Sequence, residues 1–331
     1  MFVSFLIYVL LLFALINLYF LVAARFNIVD KPNERSSHSK PVLRGGGIIF
    51  PLGIILWFIW SGFQHPWFFA GLMLISLVSF IDDLSHLTYW VRLLLQMTAI
   101  ALLLFQLGLA PLPWWVWFLA LFTATGIINA FNFMDGINGI TAGYSLSTLA
   151  GLWIVNNYQA PFVSNDLLYT AILAVAVFGF YNFRTRARCF AGDVGAVSIS
   201  FILVFLAGKL ILATGNPLYL MFMIIYGVDT FLTILYRLTR HENIFAAHRS
   251  HLYQILANES GISHVKVSTG YTIAQLLINL LIIVLAGQVA LGYQLGVSIG
   301  IMGGLAAVYV YVKGDGRRRT DDGHRSSVIR P

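Results

Sequence analysis

Hydrophobic positions along this chain fall into long unbroken runs rather than an alternating or one-faced pattern. The runs lie near residues 1–24, 46–61, 67–81, 93–108, 113–129, 139–155, 167–182, 194–213, 217–236, 269–287 and 289–312, and short polar or Gly/Pro-bearing segments separate them. Crossing about 30 Å of hydrocarbon takes roughly 20 helical residues at about 1.5 Å each. The pattern therefore predicts an all-α fold of about eleven transmembrane helices, with ten or twelve open because the third run is short and the last two nearly touch. The first run has no basic n-region and is too long for a signal-peptide core, so it reads as a permanent helix. Residues 1–312 form one transmembrane domain in this reading, and 313–331 a basic, disordered tail.

Composition supports the same class. Of 331 residues, 59% are hydrophobic and 10% charged, which no compact soluble globule of this size can bury. Intrinsic disorder, a disulfide-stapled scaffold and a soluble nucleic-acid binder are excluded, the last despite a net charge of +7, because no basic stripe lies outside what membrane topology explains. Cys189 is the single cysteine and cannot form an internal disulfide.

The basic residues set the orientation, since short cytoplasmic loops retain Lys and Arg. Alternate connections hold Arg25 to Arg44, then Arg92, then Arg184, Arg186 and Arg188, then Arg237 to Lys266, and finally the tail. Only Lys209 of the 20 basic residues falls inside a run, and the opposite loops carry none. This predicts a periplasmic N-terminus, a cytoplasmic C-terminus and chemistry at cytoplasmic loops. No internal repeat is visible, which weakens an inverted-repeat transporter reading.

Polar residues at the ends of apolar runs are the functional candidates. Asp82 and Asp83 end the third run, and two adjacent carboxylates repel unless a cation or cationic substrate group lies between them; a solvated loop pair is the alternative. In NAFNFMDGING, Asn129, Asn132 and Asp135 are spaced so that a helical turn places Asn132 and Asp135 on one face. Together with Asn138 they form a donor and acceptor array suited to a base or ribose, and Gly136 and Gly139 allow close approach. Asp193, between Gly192 and Gly195 before the eighth run, suits a divalent cation bridging phosphates at a helix N-terminus. His241, His248 and His251 occupy the last interior loop beside Arg249. A zinc site is weak there without cysteines, and phosphate contact or acid/base work fits better. Asp229 reads as a buried partner of a basic residue. The opening loop, with His38 and the Arg44-Gly45-Gly46-Gly47 run, is basic and rich in Ser, Gly and Pro.

In this order and at one face, the clusters resemble the polyprenyl-phosphate N-acetylhexosamine-1-phosphate transferases, glycosyltransferase family 4, over residues of about 25 to 255. Position by position, the resemblance makes Asp82 and Asp83 the acidic pair that handles the lipid phosphate and the catalytic proton. It makes Asn132 and Asp135 the nucleotide-site pair, Asp193 the magnesium ligand and Phe190 the ring stacked on uracil. His251 matches the first histidine of the family's His-x-His-His element, while Asn138 stands where many members have a second aspartate. The opening loop is similar to the subgroup that starts surface polysaccharides.

Catalytic residues implied in this way are Asp82, Asp83 and His251. Substrate-binding residues are Asn129, Asn132, Asp135, Asn138, Phe190, Arg44, His38, Arg249 and His248, and the metal ligand is Asp193. The implied enzyme is a Mg2+-dependent phosphotransferase, with Mn2+ as a substitute, in the bacterial cytoplasmic membrane. It moves N-acetylhexosamine-1-phosphate from a UDP-N-acetylhexosamine to undecaprenyl phosphate and releases UMP, with membrane lipids as partners, no nucleic acid and homodimerisation left open. The peptidoglycan phospho-N-acetylmuramoyl-pentapeptide transferase and a lipid-linked-sugar flippase stay open as alternatives.

Overall fold

A computed structural model describes residues 2–30, 40–85, 87–244, 246, 248–288 and 290–328. Each apolar run coincides with a helix. In chain order these are α1 (Phe2–Arg25), α2 (Ile49–Trp60), α3 (Pro66–Ser85), α4 (Tyr89–Gln106), α5 (Trp114–Met134), α6 (Ile140–Tyr158), α7 (Asn165–Asn182) and α8 (Gly192–Thr214). Then come α9 (Ile224–Thr239), entered through the 3-10 segment Pro217–Met223, the single turn α10 (Leu252–Gln254), α11 (His264–Gln288) and α12 (Leu291–Val328). α12 continues past residue 312, so the backbone stays helical through the basic segment that the sequence separates as a disordered tail. No proline before Pro331 interrupts it.

Eight helices among the described residues are long and apolar enough to cross a membrane, and Gly46–Trp60 is a shorter apolar one. α6 and α7 are not among the eight. α6 places Ser145, Ser147, Thr148 and Asn156 inside the bundle, where interhelical hydrogen bonds replace hydrophobic sorting between helices. Thr148 donates to the Phe222 carbonyl at 2.9 Å, and Tyr144 to Gln275 Oε1 at 2.7 Å.

Large apolar side chains cover the outside, the inverse of a water-soluble protein. Trp60, Trp114 and Tyr158 are exposed near one end of the bundle and Trp90 and Phe26 near the other, as expected of interfacial aromatic belts.

Two features place the functional end. A two-residue ladder, β1 (Val29–Asp30) against β2 (Val42–Leu43), pairs Val29 with Leu43 and Asp30 with Val42, and Leu43 also bridges to Cys189. Gly46 and Gly47 then run directly against the start of α8. A side chain on Gly47 would collide with the Gly195 backbone, which explains the glycine run as a close helix-to-loop approach.

Candidate active site

The ends of α3 and α5 and the starts of α4, α6, α8 and α11 meet at one end of the bundle. Asp82 and Asp83 lie in the last turn of α3, where successive residues turn by about 100°, so the adjacent carboxylates diverge. Asp82 Oδ2 meets Arg92 Nη1 of α4 at 2.8 Å, and its Oδ1 accepts the Leu87 N–H at 2.7 Å. Asp83 Oδ1 meets Arg44 Nε at 2.7 Å and accepts the Asp193 N–H at 3.0 Å. Its Oδ2 accepts the Val194 N–H at 3.0 Å. The repulsion expected between the two acids is relieved by two arginines of the chain itself, one for each acid.

The α8 N-terminus is engaged from within the protein. Its first amides donate to Asp83, a carboxylate at a helix N-terminus being favourable in its own right. Asp193 remains partly open, with 26% of its side chain exposed and Arg44 Nη2 at 3.5 Å from Oδ1.

The amide array is also rearranged. α5 ends at Met134, and Asp135 caps it with φ −84° and ψ 66°, so the helical turn that would set Asn132 and Asp135 on one face stops one residue short. Asn129 and Asn132 stay on the helix and line a cavity with Asp193, Arg92, Gln96 and Ser79. Asp135 instead accepts a short hydrogen bond from Thr141. Loss of water raises its pKa to about 7, with the negative Asp193 and Asp83 adding to the rise and Thr141 opposing it.

Asn138 is buried and donates to the carbonyls of Arg184 at 2.9 Å and Thr185 at 3.2 Å. Its amide ties α6 to the turn after α7. Gly139, at φ +86°, admits the Phe183 ring, and Gly136 admits Tyr253, so the close approaches expected there are made by the protein's own rings.

Phe190 is half-buried beside the glycine run, its N–H donating to the Leu43 carbonyl at 2.8 Å and its carbonyl accepting the Gly46 N–H at 2.8 Å. His38 lies outside the described residues.

His251 is buried, with Nδ1 3.2 Å from Asp229 Oδ1, while Nε2 is buried without a hydrogen-bond partner among the described residues. Asp229 also accepts from the Tyr271 hydroxyl at 2.8 Å and the Leu252 N–H at 3.1 Å. The partner of Asp229 is therefore an imidazole. Arg237, two turns on, pairs with Glu242 at 3.1 Å.

His248 packs 5.0 Å from the His251 ring and bonds to the Ser250 hydroxyl at 2.8 Å. Burial, then His251 and the nearby cations, push its pKa down to about 4. Arg249 is half-buried beside this pair and His241 is exposed. The loop is clamped to the site through Tyr253, whose hydroxyl donates to the Phe133 carbonyl at 3.0 Å. It is clamped to α12 through Lys313, which donates to the Ser250 carbonyl at 3.1 Å.

Among the described residues no three His, Cys, Asp or Glu side chains converge to hold a metal ion. One open carboxylate on Asp193 matches the donor set of magnesium, which takes one or two protein carboxylates and completes its shell with water and substrate phosphates. In the sequence Arg92 is only a topology marker and Gln96 only part of an apolar run. Their i, i+4 spacing was the available signal of a shared polar face.

The model described as glycosyl transferase family 4 matches residues 65–211. The chain is 27% identical over 265 residues to a probable undecaprenyl-phosphate N-acetylglucosaminyl 1-phosphate transferase of Bacillus subtilis, covering 73% of each chain. It is 28% identical over 262 residues to the undecaprenyl-phosphate alpha-N-acetylglucosaminyl 1-phosphate transferase of Yersinia pestis, covering 71% of each. It is 32% identical over 202 residues to a phospho-N-acetylmuramoyl-pentapeptide-transferase of Synechococcus, covering 54% of this chain and 58% of that one. The chain is thus similar to proteins of the family that its motifs resemble.

Proposed function

We propose that this relative of the glycosyl transferase family 4 enzymes transfers N-acetylhexosamine-1-phosphate from a UDP-sugar to undecaprenyl phosphate. It acts at the cytoplasmic face of the bacterial inner membrane, with the N-terminus periplasmic and the C-terminus cytoplasmic. The observation that carries the reading is the meeting of Asp83, Arg44 and Asp193 beside the Asp82–Arg92 pair at one end of an apolar bundle. These groups sit at helix ends, at the depth where a lipid headgroup would arrive.

In the reaction, an oxygen of the lipid phosphate attacks the β-phosphorus of the UDP-sugar. The bond from that phosphorus to the bridging oxygen breaks, and UMP leaves with the electron pair. One phosphoanhydride replaces another, so the step is near isoenergetic and reversible by UMP. The acceptor phosphate, with a second pKa of about 6, is largely ionised near neutral pH and needs no strong base. Catalysis is then mainly positioning and charge compensation. Arg44 and Arg92, anchored by Asp83 and Asp82, direct positive charge at the phosphates. Asn132 and Asp135 hold the nucleotide, Phe190 stacks on the base, and His251 presents Nε2 to the donor. Asp193 would hold Mg2+, which would supply further charge neutralisation for the pyrophosphate.

The test is direct. Purified protein with undecaprenyl phosphate, magnesium and a panel of radiolabelled UDP-sugars, UDP-N-acetylglucosamine first and the UDP-N-acetylmuramoyl-pentapeptide included, should give an organic-soluble product and UMP with one donor class. Absence of lipid-linked product with every donor overturns the reading.

A further inference from the structure

Gln96 belongs to the candidate cavity but to none of the expected roles. It is 9% exposed, it lines the cavity with Asn129, Asn132, Asp193 and Arg92, and its Nε2 is buried without a hydrogen-bond partner among the described residues. A buried amide donor is normally satisfied, and one left unpaired on a cavity-lining side chain points to a partner that arrives with a ligand.

The surroundings select the ligand. Gln96 is one turn further into α4 than Arg92, on the same helix face, and so lies deeper in the apolar bundle. Arg92 has 42% of its side chain exposed at the Asp82 pair, whereas Gln96 is enclosed. Apart from Ser79, the remaining wall is aliphatic, built by Ile75, Val78 and Val197. A guanidinium, then an amide donor, then aliphatic walls match an anionic headgroup carried on a hydrocarbon chain. A water-soluble nucleotide offers no such tail. We infer that Gln96 is an acceptor-binding residue whose amide N–H donates to a phosphate oxygen of the polyprenyl phosphate. This rests on the transferase reading above for the identity of the acceptor.

The test combines binding and turnover on the full chain in detergent. Thermal unfolding is followed with undecaprenyl phosphate, with undecaprenol and with inorganic phosphate, for wild type, Gln96→Met and Gln96→Glu. The methionine preserves volume and removes the donor; the glutamate places a negative charge toward the phosphate. Wild type should be stabilised by undecaprenyl phosphate and by neither partial ligand, and both variants should lose most of that shift. Without ligand, Gln96→Met should melt no lower than wild type, because no internal hydrogen bond is lost.

In turnover, the KM for undecaprenyl phosphate should rise about tenfold or more in Gln96→Met and further in Gln96→Glu, with the KM for the UDP-sugar unchanged. The inference is overturned if Gln96→Met keeps the full ligand-induced shift, if only the donor KM moves, or if wild type shows no stabilisation by undecaprenyl phosphate. Stabilisation that is lost in the variants, in a protein that transfers no sugar, would instead sink the transferase reading and leave the subsite standing.

Discussion

Asp229 of α9 and His251, 22 residues apart in sequence, form a buried pair in which the carboxylate holds Nδ1 at 3.2 Å and Nε2 has no partner among the described residues. The Tyr271 and Thr233 hydroxyls and the Leu252 N–H also donate to the carboxylate, so the imidazole is fixed in orientation. A carboxylate behind an imidazole sets which nitrogen carries the proton. Asp229→Asn should therefore cut turnover by roughly 10- to 100-fold, in line with losses of groups that orient a functional histidine. The double variant with His251→Ala should be no worse than His251→Ala alone, since both remove one function. Additive losses in initial rates of lipid-product formation would show that Asp229 acts elsewhere.

Asp82 and Asp83 should separate in stability. Asp83 has 1% of its side chain exposed and binds Arg44 and two α8 amides, so Asp83→Asn should lower stability by about 3–5 kcal/mol, the range for breaking a buried ion pair. Asp82 is itself buried but pairs with an arginine that is 42% exposed, and Asp82→Asn should cost less than Asp83→Asn because water solvates the arginine left behind. Both should lose turnover by about 10²-fold or more. Unfolding midpoints in detergent, measured beside rates, check the contrast, and equal stability losses would refute it.

Asp193→Asn should abolish turnover while leaving the fold intact, because it removes the open carboxylate and keeps both volume and the N–H that Asp83 accepts. Rates measured across a magnesium titration read the effect. A variant with wild-type turnover and unchanged magnesium dependence would exclude Asp193 as the metal ligand.

Asp135 should make stability depend on pH. Its pKa rises from 3.8 to about 7 through burial, so between those values the folded state holds a proton that the unfolded state has lost. The proton-linked contribution is present below pH 4 and disappears as pH rises through 7. The melting temperature of wild type minus that of Asp135→Asn should fall across that window and flatten above it. A difference independent of pH would mean that Asp135 titrates as an ordinary carboxyl.

Sidedness can be read with single cysteines at exposed positions. Cys189 is buried, with burial pushing its thiol up to about 12, so it should stay silent toward a thiol reagent. Asn157→Cys should react with an impermeant reagent added outside intact cells, and His241→Cys should react only after the membrane is opened. The opposite pattern would invert the proposed orientation.

Hydropathy is a property of a local run, and every apolar run in this sequence coincides with a helix; the basic residues likewise mark one set of helix ends without reference to packing. What a run cannot encode is the rotation of each helix about its axis and the neighbour it meets. Asp82 and Asp83 are identical in type and adjacent, yet one turns to Arg92 and the other to Arg44. That choice depends on how α3 sits between α4 and α8. Arg44 and Asp193 are 149 residues apart, and no spacing pattern joins them. The helical continuation expected from Asn132 to Asp135 fails because α5 ends at Met134, where the next turn must leave room for Tyr253 against Gly136. The polar residue types and their common edge follow from the sequence. Which acid anchors which arginine, which amide is left open and which aspartate holds the histidine are decided by tertiary packing, because only packing fixes distances between helices.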